Sequence, residues 1–179
     1  MSIIQVYVNL KIPDNIERTA LYACRSSLGF DSLESLSRTE FWELDFPGLT
    51  EDEALPTAER LVEKTSLFAN PNKHCWHLDA VDRLLENNGV LTVPSSSSAL
   101  ILVCDREDGK AESTLEAIHR FDDNNAQLAS LLRGVLWQVT FSGTDQQKIR
   151  EQVEKLAVTE SRSQGLLVNP HYQSHRIFY

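Results

Sequence analysis

Apolar residues recur along this chain at two spacings, and the switches between them mark out its elements. Residues 3–10 (IIQVYVNL) are β-branched and aromatic, which predicts a strand. Over residues 15–28, Ile16, Ala20, Cys24 and Leu28 fall four apart with Ala23 beside them, one face of an amphipathic helix that Gly29 ends. Residues 32–38 and 40–46 then read as two strands with a tight turn around Arg38–Thr39. Trp42, Leu44 and Phe46 alternate with Glu43 and Asp45, so one face is buried and the other wet. A second helix is predicted over 51–67, with Pro56 delaying its start. Asn70 suits a left-handed cap after it, and Pro71 forbids continuation. Residues 73–78 (KHCWHL) close the set as a strand.

The same succession is then written again. When residues 33–46 are laid over 128–141, Leu33, Ser35, Leu36, Arg38, Trp42 and Phe46 meet Leu128, Ser130, Leu131, Arg133, Trp137 and Phe141, always 95 positions on. Two of the chain's three tryptophans fall in register. The Asn70-Pro71 pair returns as Asn169-Pro170, 99 positions on, which places four added residues between Phe141 and the second pair. The apolar opening IQVYVNL has its counterpart in LILVCDR. Ala111, Leu115, Ile118 and Phe121 give the second copy's first helix; Thr144 with Gln147 forms a capping-box pattern before Ile149, Val153, Leu156 and Ala157. SHRIFY ends the chain as a strand.

The fold class is therefore α+β, as two β-α-β-β-α-β units of the ferredoxin-like plait type, largely antiparallel with helices on one face. The predicted boundaries are 1–80 for the first repeat, 81–97 for a linker that takes in all but the last residue of the PSSSS run (94–98), and 98–179 for the second repeat. Two small units with open sheet edges are expected to pack as a pseudo-twofold pair.

Charge and chemistry narrow the function. A net charge of -9 without a Lys/Arg cluster argues against nucleic acid and anionic membrane as partners. No apolar run approaches the ~20 residues of a membrane span, and the N-terminus lacks the marks of a signal peptide. Three widely spaced cysteines are not a disulfide framework, which points to a reducing, cytoplasmic setting. His74, Cys75 and His77 alternate faces on a strand, so they read as structural and not as metal ligands. The acids of DREDGK (105–110) suit a solvated loop leading into a helix. Trp42 and Trp137 are structural anchors of the repeat, with Asn70, Pro71, Asn169 and Pro170 as its punctuation. Arg38 and Arg133, at the turn in both copies, are the candidate contacts to a partner or to the other half. No catalytic, cofactor-binding or metal-binding residue is predicted.

The order of these motifs resembles the PurS family, the small subunit of phosphoribosylformylglycinamidine synthase. The first half supplies SLGF (27–30), SRTEFWEL (37–44) and LFANP (67–71); the second supplies DGKAESTLEAIHRF (108–121), LRGVLWQV (132–139) and LLVNP (166–170). The first lacks the family's helix-start glycine, the second its LGF, and both depart from its Gly-Lys turn, at Thr39-Glu40 and Gly134-Val135. The resemblance implies a tandem PurS-like pair acting as a non-catalytic accessory subunit in de novo purine biosynthesis. Its partners would be a PurL-type synthase subunit and a PurQ-type glutaminase subunit, with ammonia passing between them, and a homodimer of the doubled chain is compatible with it. The alternative is a stand-alone tandem plait that binds a small molecule or works as a dimeric α+β-barrel-type enzyme. Against catalysis stands the lack of any titratable cluster that recurs.

Overall fold

The computed structural model describes residues 2–80, 97–121, 127–161 and 164–179, so all but the last residue of the predicted linker lies outside the described residues. The protein is α+β. Its strands are β1 (Ser2–Leu10), β2 (Leu33–Phe46), β3 (His74–Ala80), β4 (Ser98–Asp105), β5 (Ser130–Phe141) and β6 (Gln173–Phe178). Its helices are α1 (Asn15–Ser26), α2 (Glu51–Lys64), α3 (Gly109–Phe121) and α4 (Gln146–Ala157). The strands form an antiparallel, six-stranded sheet in the order β3-β1-β2-β5-β4-β6, consistent with a plait-like fold.

One prediction is corrected by the long strands. β2 runs unbroken for 14 residues and β5 for 12, so there is no turn at Arg38–Thr39 or at its counterpart. Each sequence repeat is therefore β-α-β-α-β and not β-α-β-β-α-β. The physical reason lies in where the environment changes. Contacts divide the chain into two compact units, one of Met1–Ile12, Glu40–Val93 and Glu107–Gly134, the other of Pro13–Thr39, Pro94–Arg106 and Val135–Tyr179. The pattern breaks at 39/40 because the residues of β2 belong to one unit up to Thr39 and to the other from Glu40.

These units cut across the sequence repeats. In the first, β1 pairs with β2 and β3, so that Val6 lies opposite both Trp42 and Leu78. Ile4, Val6, Trp42 and Leu44 pack with Ala58 and Leu61 of α2 and with Ile118 of α3. In the second, β4 pairs with β5 and β6, and Ile101 lies opposite both Trp137 and Ile177. Ala99, Ile101, Trp137 and Val139 pack with Val153 and Leu156 of α4 and with Cys24 of α1. Each core thus takes one helix from the other half of the sequence.

Helix ends follow local chemistry. Thr50 and Glu53 make a reciprocal capping box at the start of α2, and Pro56 sits inside that helix without delaying it. An interior proline leaves one ladder bond unmade, which the box and the buried face offset. α4 is capped by Asp145, one residue after the predicted Thr144, because the carboxylate accepts from the Lys148 N–H at 3.3 Å. α2 ends at Lys64, six residues before the position predicted to cap it, so Asn70 punctuates a turn. Among the described residues, no helix is long and apolar enough to cross a membrane.

Candidate functional site

Helices α1 and α3 both begin on an aspartate. Asp14 Oδ1 accepts from the Ile16 N–H at 2.8 Å, and Asp108 Oδ1 accepts from Lys110 and Ala111 at 3.0 and 3.1 Å. A carboxylate here satisfies orphan donors and meets the positive end of the helix dipole. Its second oxygen takes the candidate arginine: Arg38 Nη1 lies 3.0 Å from Asp14 Oδ2, and Arg133 Nη1 lies 3.5 Å from Asp108 Oδ2. Side-chain exposures of 22% and 23% leave both guanidiniums half-buried and engaged within the chain. A partner carboxylate would compete with these bonds.

The far ends of the two helices are tied down alike. Arg25 Nε donates to the Leu33 carbonyl at 2.7 Å, and His119 Nε2 lies 2.8 Å from the Leu128 carbonyl. The Asn-Pro turns match as well. Asn70 Oδ1 accepts from the Asn72 N–H, Asn169 Oδ1 from the His171 N–H, and the residue four past each asparagine donates its N–H to the asparagine carbonyl. His74 Nδ1 accepts from the Asn70 N–H at 3.0 Å, while His77 Nε2 lies 3.4 Å from Asp79 Oδ2. The HCWH run is thus drawn into separate local interactions.

A charged cluster around Trp42 was not anticipated. Glu40 Oε1 accepts from Lys110 Nζ and from Arg133 Nε, each at 3.0 Å. Burial alone would raise the Glu40 carboxyl, but these two cations outweigh it and hold the group below the usual range. Asp14 shows the same balance, with burial opposed by the Ile16 N–H and by Arg38. The two cations also lie over the indole of Trp42, with Lys110 Nζ 5.3 Å and Arg133 Cζ 5.7 Å from the ring centre. Phe68 meets the same ring edge-on at 5.1 Å. Trp42 is fully buried, and its Nε1 finds no hydrogen-bond partner among the described residues.

Trp137 occupies the matching strand position under different cover. Ile16 stands where α3 carries Lys110, counting from the cap aspartates, and Val135 stands where β2 carries Glu40. Leu167 takes the place of Phe68 in the Asn-Pro motif. The added residues lie between α4 and Asn169, where Val158 and Val168 form a parallel bridge. Gly165 lets the returning chain pass close: its φ is +75°, and a Cβ there would overlap the Val158 carbonyl. Burial pushes the Cys24 thiol on α1 up to about 11, as for a core cysteine.

Sequence reasoning singled out the arginines and tryptophans but missed their partners. The available signal was an aspartate just before the first helix of each copy, 94 positions apart. Comparison of the chain with protein-family models, curated proteins and solved structures finds no match.

Proposed function

We propose that this chain is a non-catalytic accessory subunit of phosphoribosylformylglycinamidine synthase, holding a synthase subunit and a glutaminase subunit together so that ammonia passes between them. The reading rests on the PurS-like motif order, present twice. The observation that carries it is the recurrence of a three-part frame in both copies. An arginine within the strand holds a helix-cap aspartate, the helix's far end holds the chain where it enters the next long strand (Leu33, and Leu128 two residues before β5), and an Asn-Pro turn closes the motif. Independent evolution of a single plait has no reason to place all three at matching positions. A tandem duplication of one PurS-like unit does, and tethering raises the effective concentration of each copy for the other to roughly the millimolar range.

In such a complex the subunit works by position. Its arginines belong to the internal frame, and the partners' contacts fall on the remaining surface. The test compares product formation driven by glutamine with that driven by added ammonium, using synthase and glutaminase with and without this chain. The expected result is that omission abolishes the glutamine-driven reaction and leaves the ammonium-driven one comparatively intact. Equal glutamine-driven rates in both cases would refute the reading.

A further inference from the structure

The second unit carries a cleft of about 490 Å³ between α1 and the segment around residues 165–167, with Trp137 among its lining residues. Asn15, Ile16, Thr19, Ala20 and Ala23 come from α1, and Leu166 and Leu167 from the segment facing it. We propose that this cleft is a binding site for a neutral small molecule that carries an aromatic ring.

Three observations select that ligand. The volume lies in the range of small-molecule sites, whose walls are mostly apolar with a few polar groups. The lining carries no formal charge, and its polar side chains, Asn15 and Thr19, are exposed on α1. A charged ligand would lose hydration here without compensation, whereas a neutral one with a single hydrogen-bonding group would not. The ring itself is argued from the first unit. There the chain supplies its own cover for the matching tryptophan, with Phe68 edge-on and the Lys110 ammonium over the indole. At the corresponding places the second unit has Leu167 and Ile16, so Leu167 stands where the first unit sets a phenyl ring against its tryptophan. Ile16 and Leu166 meanwhile remain 55% and 40% exposed, apolar surface that a bound ring would cover.

The site goes beyond the linking role proposed above and does not depend on it. The test titrates the neutral probe N-phenyl-1-naphthylamine into the intact chain, following its fluorescence and the backbone amide shifts. The proposal requires saturable one-to-one binding with shifts centred on Thr19, Ala23 and Leu166. Ile16→Lys and Leu167→Phe, which copy the first unit's cover, should each weaken the probe by roughly tenfold or more, as filling or charging a fitted apolar site does. Tyr22→Ala, which alters an exposed α1 residue outside the lining, should leave binding unchanged. Ile16 is exposed, so its substitution spares the core, and an unchanged melting temperature verifies this. Non-saturable binding, or an affinity in both cover variants unchanged from that of the parent chain, overturns the site. Competition by 1-octanol as effective as that by an aromatic alcohol overturns the assignment of an aromatic ligand.

Discussion

Trp42 and Trp137 sit at matching positions of two long strands, and each helps fill the core of its own unit. Around Trp42 the chain builds a roof of its own: two cations over the indole, a carboxylate between them, and a phenyl ring against its edge. Around Trp137 the corresponding places hold Ile16, Val135 and Leu167, and a cleft opens beside the ring. The three differences are chemically linked. Losing Lys110 alone would leave Glu40 with one cation fewer, and losing Glu40 alone would leave two cations crowded over one ring. The bond from strand arginine to helix-cap aspartate is kept in both places. The comparison separates a frame, which a helix-on-sheet unit needs in order to hold its helix, from a cover, which can change without cost to the frame.

Truncating the two tryptophans is the strongest way to break this comparison. Trp42→Ala should cost about 3–5 kcal/mol, the range for large aromatic residues in a packed core. Trp137→Ala should cost less, about 2–3 kcal/mol, because a side chain facing a cleft has fewer packing partners to lose. Urea unfolding of both variants measures the difference, and equal losses would show that the two environments are energetically alike.

The charged cover offers a smaller lever. Glu40→Ala should cost about 1–2 kcal/mol, between the values for exposed and fully buried ion pairs. Arg38→Ala, which breaks one half-buried pair, should cost about 0.5–1 kcal/mol. The Glu40 effect should also depend on pH. Its folded pKa is held below the unfolded one, so the stabilisation is full above about pH 4.3 and is lost as pH falls through the folded value. Glu40→Gln should therefore show a flatter acid limb than the parent, with the gap between the two closing as Glu40 becomes protonated. Parallel acid limbs would mean that Glu40 does not titrate in this way.

The mildest change sharpens the comparison by transplanting cover. Leu167→Phe places the ring of the first unit beside Trp137 and should stabilise the chain by roughly 0.5–1.5 kcal/mol through an aromatic pair. Thermal melting of this variant reads the gain, and destabilisation would mean that the cleft lacks room for the ring.

Much of the fold was legible because apolar spacing reports burial directly. The helix faces led by Cys24, Ile118 and Val153, the strands around Val6 and Trp42, and the four added residues before Asn169 all followed from pattern alone. The turn at Arg38–Thr39 did not exist, since a change of pattern reports a change of surroundings and not its cause. A strand that leaves one core for another produces the same signal as a strand that ends. Single-sequence periodicity is equally blind to which sheet a helix covers, and so the placement of α1 with β4 and of α3 with β1 was invisible. Of the candidate site, the arginines were visible as a repeated residue in a repeated context. Glu40 and Lys110 were not, because they lie 70 residues apart and have no counterparts in the other copy.

That exchange of helices is the central claim, and dividing the chain tests it most directly. Residues 1–90 retain α1 but lack β4, β5 and α4, which build the core around Cys24; residues 91–179 retain α3 but lack the strands and helix around Ile118. Each piece should fail to fold as a stable monomer, and mixing the two should restore the circular dichroism and melting transition of the intact chain. If both pieces are instead monomeric, folded and as stable as the whole, each sequence repeat owns its core and the interleaved arrangement is wrong.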